Sequence, residues 1–201
     1  MSRLKIITIL FISVLLSGVP IYGADIMPYF NKGNDYFNEG NYEMAIKEYT
    51  KAISIDSQFM DAYYNRGLAY YKRGKHDEAI ADFGKAIGSS SNNAEAYHFR
   101  ALAYYKKGNY NKTIEDETRA ISINPKFSDA YHNRGISYAK KGRYEDAIED
   151  YNKAIAVRPG FTEAYFSRGV AYARRAAADF KKACDMGIPV ACENLKQVSA
   201  E

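Results

Sequence analysis

The residues able to do chemistry are few: three histidines, two cysteines and one carboxylate in an unexpected place. His98 and His132 lie 34 residues apart, so a repeating fold would bring two imidazoles to equivalent sites on adjacent units. Two imidazoles begin a zinc site, but no third His, Cys or carboxylate converges with them in the pattern, and His76 falls in a turn. No metal or other cofactor is assigned. No Ser-His-Asp arrangement, phosphate-cradling glycine loop or zinc signature occurs, so the chain reads as non-catalytic. Cys184 and Cys192 enclose Gly187 and Pro189. In an exported chain an even cysteine count reads first as a disulfide, and two cysteines with no neighbouring His make a poor zinc site. Glu117 sits on the packed face of a helical segment, where a carboxylate is costly unless paired. The favoured reading is a partly solvated defect that tyrosine would relieve; the alternatives are a structural ion pair and a functional acid.

The elements that must position these residues follow from a period. Gly33, Gly67, Gly135 and Gly169 fall on a 34-residue grid, with Ala101 in the remaining slot. Tyr36, Tyr70, Tyr104, Tyr138 and Tyr172 form a second grid; Gly40, Gly74, Gly108 and Gly142 form a third. Ala52, Ala86, Ala120 and Ala154, and Ile46, Ile80, Ile114 and Ile148, complete the set. Coincident grids at one period mark stacked supersecondary units. From Asp61 to Arg73 apolar residues recur at helical spacing, Gly74 stops that helix, and Asp77-Glu78 open a second one reaching about Ile87. Each unit is therefore a helical hairpin. Gly67 in mid-helix costs about 1 kcal/mol relative to Ala, so its recurrence implies a neighbour that needs the space.

The units run 26–59, 60–93, 94–127 and 128–161, followed by a truncated fifth over 162–187 and a capping helix over 189–198. The class is all-α, an α-solenoid of tandem helix-turn-helix repeats. In the fifth unit the alanine due 34 residues after Ala154 falls at Ala183, only 29 later, and Ala176 and Phe180 carry the same shift. Five turn residues are missing. Arg174-Arg175-Ala176-Ala177-Ala178 is helix-forming and holds no turn residue, so Thr162 to about Met186 is expected to run as one long helix or, at best, a strained hairpin. The third unit is the other outlier: Glu117 stands where its siblings have Tyr49, Phe83, Tyr151 and Phe180, Thr113 replaces a packing Ala, and Ala101 replaces Gly.

Tyr63, Gly67, Tyr70, Ala79, Phe83 and Ala86, with Tyr131, Gly135, Tyr138, Ala147, Tyr151, Ala154 and Pro159, resemble the tetratricopeptide repeat (TPR) family, from Ile26 to about Ala183. The resemblance implies a right-handed superhelix whose first helices line a concave groove, and a protein or peptide partner bound there. The stretch ACDMGIPVACENL from Ala183 is similar to related cysteine-rich helical repeats, in which cysteines at this spacing bridge two helices. The family's groove positions correspond to Phe30, Tyr64, His98, His132 and Phe166 as one stripe and to Asn31, Asn65 and Asn133 as a second. A third holds Asn34, Leu68, Leu102 and Ile136, continued by Phe37, Tyr71 and Tyr105. Rings beside amides suit an extended or helical peptide, because Asn both donates and accepts. Lys72, Lys106, Lys140 and Arg174, each followed by a second base, complement the helix dipole and would form a basic rim that steers an acidic partner. Asp61, Glu95, Asp129 and Glu163 occupy the helix starts, where some family members place bases to clamp a C-terminal carboxylate; that function is disfavoured. Arg66, Arg100, Arg134 and Arg168 recur with Asp82, Asp116, Asp150 and Asp179, and as Lys32 with Glu48 in the first unit, which reads as a structural ion-pair ladder.

Met1 to Lys5 is basic, and Ile6 to Val19 is an uncharged, mostly apolar run ending near Pro20, Gly23 and Ala24. That is the layout of a secretory signal peptide over 1–23, leaving 24–201 periplasmic or secreted; the alternative is a retained membrane anchor. Without Arg3 and Lys5, 26 basic residues face 24 acidic ones, and a charge of +2 is too small to make nucleic acid a default partner. At 47% hydrophobic and 26% charged, the composition excludes disorder and collagen. The alternative to groove binding is a structural module that self-associates through its helical edges or its unclosed last unit.

Overall fold

The structure, a computed structural model, describes residues 26–88 and 92–199; the expected signal segment lies outside them. Among the described residues ten helices succeed one another with no strand. They pair as α1 Met27–Asn38 with α2 Tyr42–Ile55, α3 Met60–Lys72 with α4 His76–Gly88, α5 Ala94–Lys106 with α6 Tyr110–Ile123, and α7 Ser128–Lys140 with α8 Tyr144–Val157. Then come α9 Thr162–Asp185 and α10 Pro189–Ser199.

Four hairpins turn by the same device. Gly40, Gly74, Gly108 and Gly142 take φ between +73° and +76°, the left-handed conformation at which glycine ends a helix without steric penalty. The following amides of Asn41, Lys75, Asn109 and Arg143 donate back to the carbonyls of Tyr36, Tyr70, Tyr104 and Tyr138. Asn41 and Asn109 then cap α2 and α6 by accepting from the amides of Met44 and Lys112. Each helix packs on those before and after it. The first helices α1, α3, α5, α7 and α9 also touch in succession whereas the second helices do not, so the stack curves with the first helices inside.

Small residues let the pairs close. Alanines such as Ala52, Ala62, Ala79 and Ala96 are fully buried between helices. Gly33, Gly67 and Gly135 lie beneath the rings of Tyr49, Phe83 and Tyr151, where an added methyl would come within 2.5, 2.9 and 2.7 Å of the ring. The recurring mid-helix glycine is thus dictated by an aromatic ring on the second helix.

Three rungs of the ion-pair ladder are present. Arg66, Arg100 and Arg134 each donate through Nε and Nη2 to both oxygens of Asp82, Asp116 and Asp150, at 2.7–2.8 Å. Arg66 and Arg134 also donate to the hydroxyls of Thr50 and Thr118 in the preceding pair. Two expected rungs are absent. Lys32 lies beside the Tyr36 ring while buried Glu48 accepts from Lys51 at 2.8 Å, because an ammonium on a flexible stem has no bidentate fork. Arg168 donates instead to Asn152 at 2.7 Å, and Asp179 is exposed. Both residues sit on α9, which runs unbroken for 24 residues through the place of the missing turn. No second helix brings Asp179 back to Arg168. α10 packs on α9 after a turn at Gly187, and a Cys184–Cys192 disulfide joins them with Cα atoms 4.8 Å apart.

Candidate functional site

The stripe expected to lead the groove is half-buried at Phe30, Tyr64 and His132, buried at His98 and exposed at Phe166. Phe30 packs on Tyr49 and Phe59, with ring centroids 5.9 and 4.9 Å away; Tyr64 packs on Phe83 and Phe99, and its hydroxyl donates to Glu95 at 3.1 Å. Burial raises the pKa of the Tyr64 phenol, keeping it a donor. His132 lies against Tyr151 and Phe161, and its Nε2 is 3.0 Å from the Ser167 hydroxyl. Burial lowers its pKa, favouring the neutral ring. Phe30, Tyr64 and His132 each lie against the ring of their own hairpin's second helix and stay partly exposed. Phe166 is the exception, 74% exposed, since its hairpin has no second helix.

His98 is where the structure departs from the expected groove position. It is 7% exposed and its Nδ1 lies 3.0 and 3.1 Å from the two oxygens of Glu117, which has no exposed surface. Neither a groove contact nor a partly solvated defect describes these residues; they are a buried pair. Burial pushes the Glu117 carboxyl up to about 7, against the opposing pull of His98. Around the pair the third unit is adapted as a set. No ring overlies residue 101, so Ala101 fits with zero exposure, and the Thr113 hydroxyl donates to the carbonyls of Asn109 and Ala101 at 3.0 and 3.3 Å. The two imidazoles are committed to different partners, and no cluster of three potential metal ligands occurs among the described residues.

The amide row divides. Asn65 Nδ2 and the Tyr49 hydroxyl both donate to Asn34 Oδ1, at 2.9 and 2.8 Å, a network tying α1, α2 and α3. The sequence signal was available: Asn34 is the one amide in a stripe otherwise made of Leu68, Leu102 and Ile136. Asn31 is exposed, and the partly exposed Asn133 side chain makes no hydrogen bond among the described residues. Tyr71 leans on His76 and Tyr105 on Tyr110, with centroids 5.6 and 5.5 Å apart, bracing the turns while both tyrosines stay partly exposed. Two hollows mark that face. One of about 320 Å³ is lined by Asn34, Phe37, Asn65 and Leu68, and another of about 450 Å³ by Ile136, Lys140, Tyr144, Phe166, Val170 and Arg174.

The paired bases separate cleanly by role. The second of each pair reaches the preceding hairpin: Arg73 to Glu43, Lys107 to Asp77, Lys141 to Asn111 and Arg175 to Glu145. The first of each pair, Lys72, Lys106, Lys140 and Arg174, is exposed and has no ion-pair or hydrogen-bond partner among the described residues. They form a column of free cations along the inner helices, at the C-terminal ends of α3, α5 and α7 and midway along α9.

Family models described as TPR repeat match residues 33–74, 67–108 and 101–142, and one described as tetratricopeptide repeat matches 128–161. The chain therefore belongs to the tetratricopeptide repeat family. Among solved structures it is similar to MamA at 28% identity, covering 86% of this chain and 89% of that one with a TM-score of 0.73. It is also similar to YrrB, described as a TPR protein with an unusual peptide-binding site, at 25% identity over 86% and 92% of the two chains with a TM-score of 0.68. A third likeness is the first TPR of Spaghetti (RPAP3), bound to an HSP90 peptide, at 27% identity over 58% of this chain and 93% of that one with a TM-score of 0.56. No curated protein matches. No helix among the described residues is long and apolar enough to cross a membrane.

Proposed function

We propose that this chain is a non-catalytic, exported interaction scaffold that binds a peptide or helix of an acidic protein partner along its concave face. The observation that carries the reading is the free column of Lys72, Lys106, Lys140 and Arg174, set beside a second row of bases that is spent on packing. Cations repeated along one face steer and register an acidic chain, while Leu68, Tyr71, Leu102, Tyr105, Asn133 and Ile136 offer apolar edges and a free amide. Solved relatives described with a peptide-binding site or a bound peptide support it. The acidic helix starts point away from a partner held by its C-terminal carboxylate. Export rests on the layout of residues 1–23, and an intact mass of exported chain that retains them would overturn it.

The test is capture from envelope extract with the exported chain as bait, beside a Lys72→Glu, Lys106→Glu, Lys140→Glu variant with unchanged circular dichroism. Acidic partners retained by the wild type and lost from the variant are expected. The same partners on both baits would move binding to another surface.

A further inference from the structure

The face of α9 that a second helix should cover is open. A methyl on Gly169 would meet nothing within 4 Å, whereas its counterparts on Gly33, Gly67 and Gly135 would strike a ring. Tyr165, Phe166, Val170 and Tyr172 are 42–74% exposed, and a cavity of about 750 Å³ runs past Phe166, Gly169, Val170, Ala173 and Ala177 to Val198. An apolar surface of this extent marks an interaction site.

The segment that fits it is in the same chain but on the same helix. Arg168 and Gly169 stand to Asp179 and Phe180 as Arg134 and Gly135 stand to Asp150 and Tyr151. Arg168 has no carboxylate partner, Asp179 is exposed and unpaired among the described residues, and Phe180 is partly exposed. With the turn deleted, the complementary halves are held end to end and cannot meet within one molecule. We propose that they meet between two copies, as a domain-swapped dimer in which α9 pairs antiparallel with α9 of the second copy. Phe180 of each covers Gly169 of the other, and Asp179 of each pairs with Arg168 of the other. The contact is two-fold and self-complementary, the closed arrangement expected of an exchanged element, and a shortened hinge is its usual cause. The axis passes between Arg174 and Arg175. Arg175 is already paired with Glu145, so the two Arg174 side chains are the repulsive element. α10 stays on its own α9, held by Cys184–Cys192, as the cap of the completed unit.

The experiment is the solution mass of the purified exported chain by light scattering over a concentration series, with three variants. Inserting Gly-Arg-Tyr-Glu-Asp, the sequence of residues 142–146, between Arg175 and Ala176 restores the turn and is expected to convert a dimer to a monomer of unchanged helicity. A methyl at position 169 has nothing within 4 Å in the monomer, so Gly169→Leu is expected to abolish the dimer with unchanged helicity by circular dichroism. Asp179→Arg is expected to weaken association at least tenfold, and Arg168→Asp with Asp179→Arg to restore it. A wild type that stays monomeric to its solubility limit overturns the proposal. So does a dimer unmoved by the insertion and by Gly169→Leu, or a monomer whose α9 face captures a different protein. Of the groove cations only Arg174 lies at this contact; Lys72, Lys106 and Lys140, on which the peptide-binding test rests, are untouched, so failure here leaves that reading to its own test.

Discussion

Gly135 and Gly169 hold the same place in successive repeats and meet opposite surroundings. The first lies 2.7 Å, measured from the position of an added methyl, from the Tyr151 ring; the second faces open space. The third unit offers a further contrast, since there both the glycine and the ring are replaced, by Ala101 and Glu117, and the hairpin closes with Glu117 fully buried. A TPR hairpin therefore does not require glycine as such. It requires that the residue on the first helix and the group above it change together. The third unit departs from the pattern and compensates within itself; the fifth departs by losing its turn, and its two halves are left without each other.

The largest expected effect breaks the compensation. Glu117→Tyr alone puts a ring over the Ala101 methyl and orphans His98, and is expected to lower stability by about 3 kcal/mol or more, seen in thermal or urea unfolding. The triple variant His98→Tyr, Ala101→Gly, Glu117→Tyr copies the sibling chemistry and is expected to recover it. Gly135→Ala forces the Tyr151 ring to move and should cost about 1–3 kcal/mol in the same assay. Reducing the disulfide, or Cys184→Ser, should cost about 2–3 kcal/mol and concentrate its effect on α10, read as faster amide exchange there than in α7 and α8.

Smaller effects sharpen the comparison. With the Glu117 carboxyl raised to about 7 against an ordinary 4.5, the folded pair keeps a proton that the unfolded chain releases. Stability then declines as pH rises from about 4.5 through about 7, so the melting temperature should be lower near pH 8 than near pH 5, and Glu117→Gln should flatten that slope. The smallest change concerns the ladder. Arg66 and Arg134 each reach a threonine hydroxyl, but the equivalent position beside Arg100 is Gly84, whose added methyl would lie 3.7 Å from Nη1. Gly84→Thr is expected to stabilise by about 1 kcal/mol.

Periodicity made the hairpins legible, because a solenoid stacks one unit on the next and every unit repeats the same local demands. The long α9 was legible too, since Arg174 to Ala178 offer nothing that turns. The concave site was less so. Position 98 shares a grid with Phe30 and Tyr64, and that grid cannot say whether a side chain points to solvent or to its own hairpin's second helix. The pairing of His98 with Glu117 spans 19 residues and two helices, and only the departure of Glu117 from its aromatic grid hinted at it. The separation of bases into tied and free was likewise invisible: Lys106 and Lys107 are adjacent and identical, yet only one is within reach of Asp77.

The sequence by itself determined the helices, their order, the turns at glycine and the loss of the fifth turn, because each depends on a few contiguous residues and their backbone preferences. The tertiary structure decided what those helices present: that His98 is buried on Glu117, which cations are free, and that Gly169 has no ring above it. Those outcomes depend on packing between elements far apart in the chain, where burial rather than spacing sets whether a side chain is structural or available.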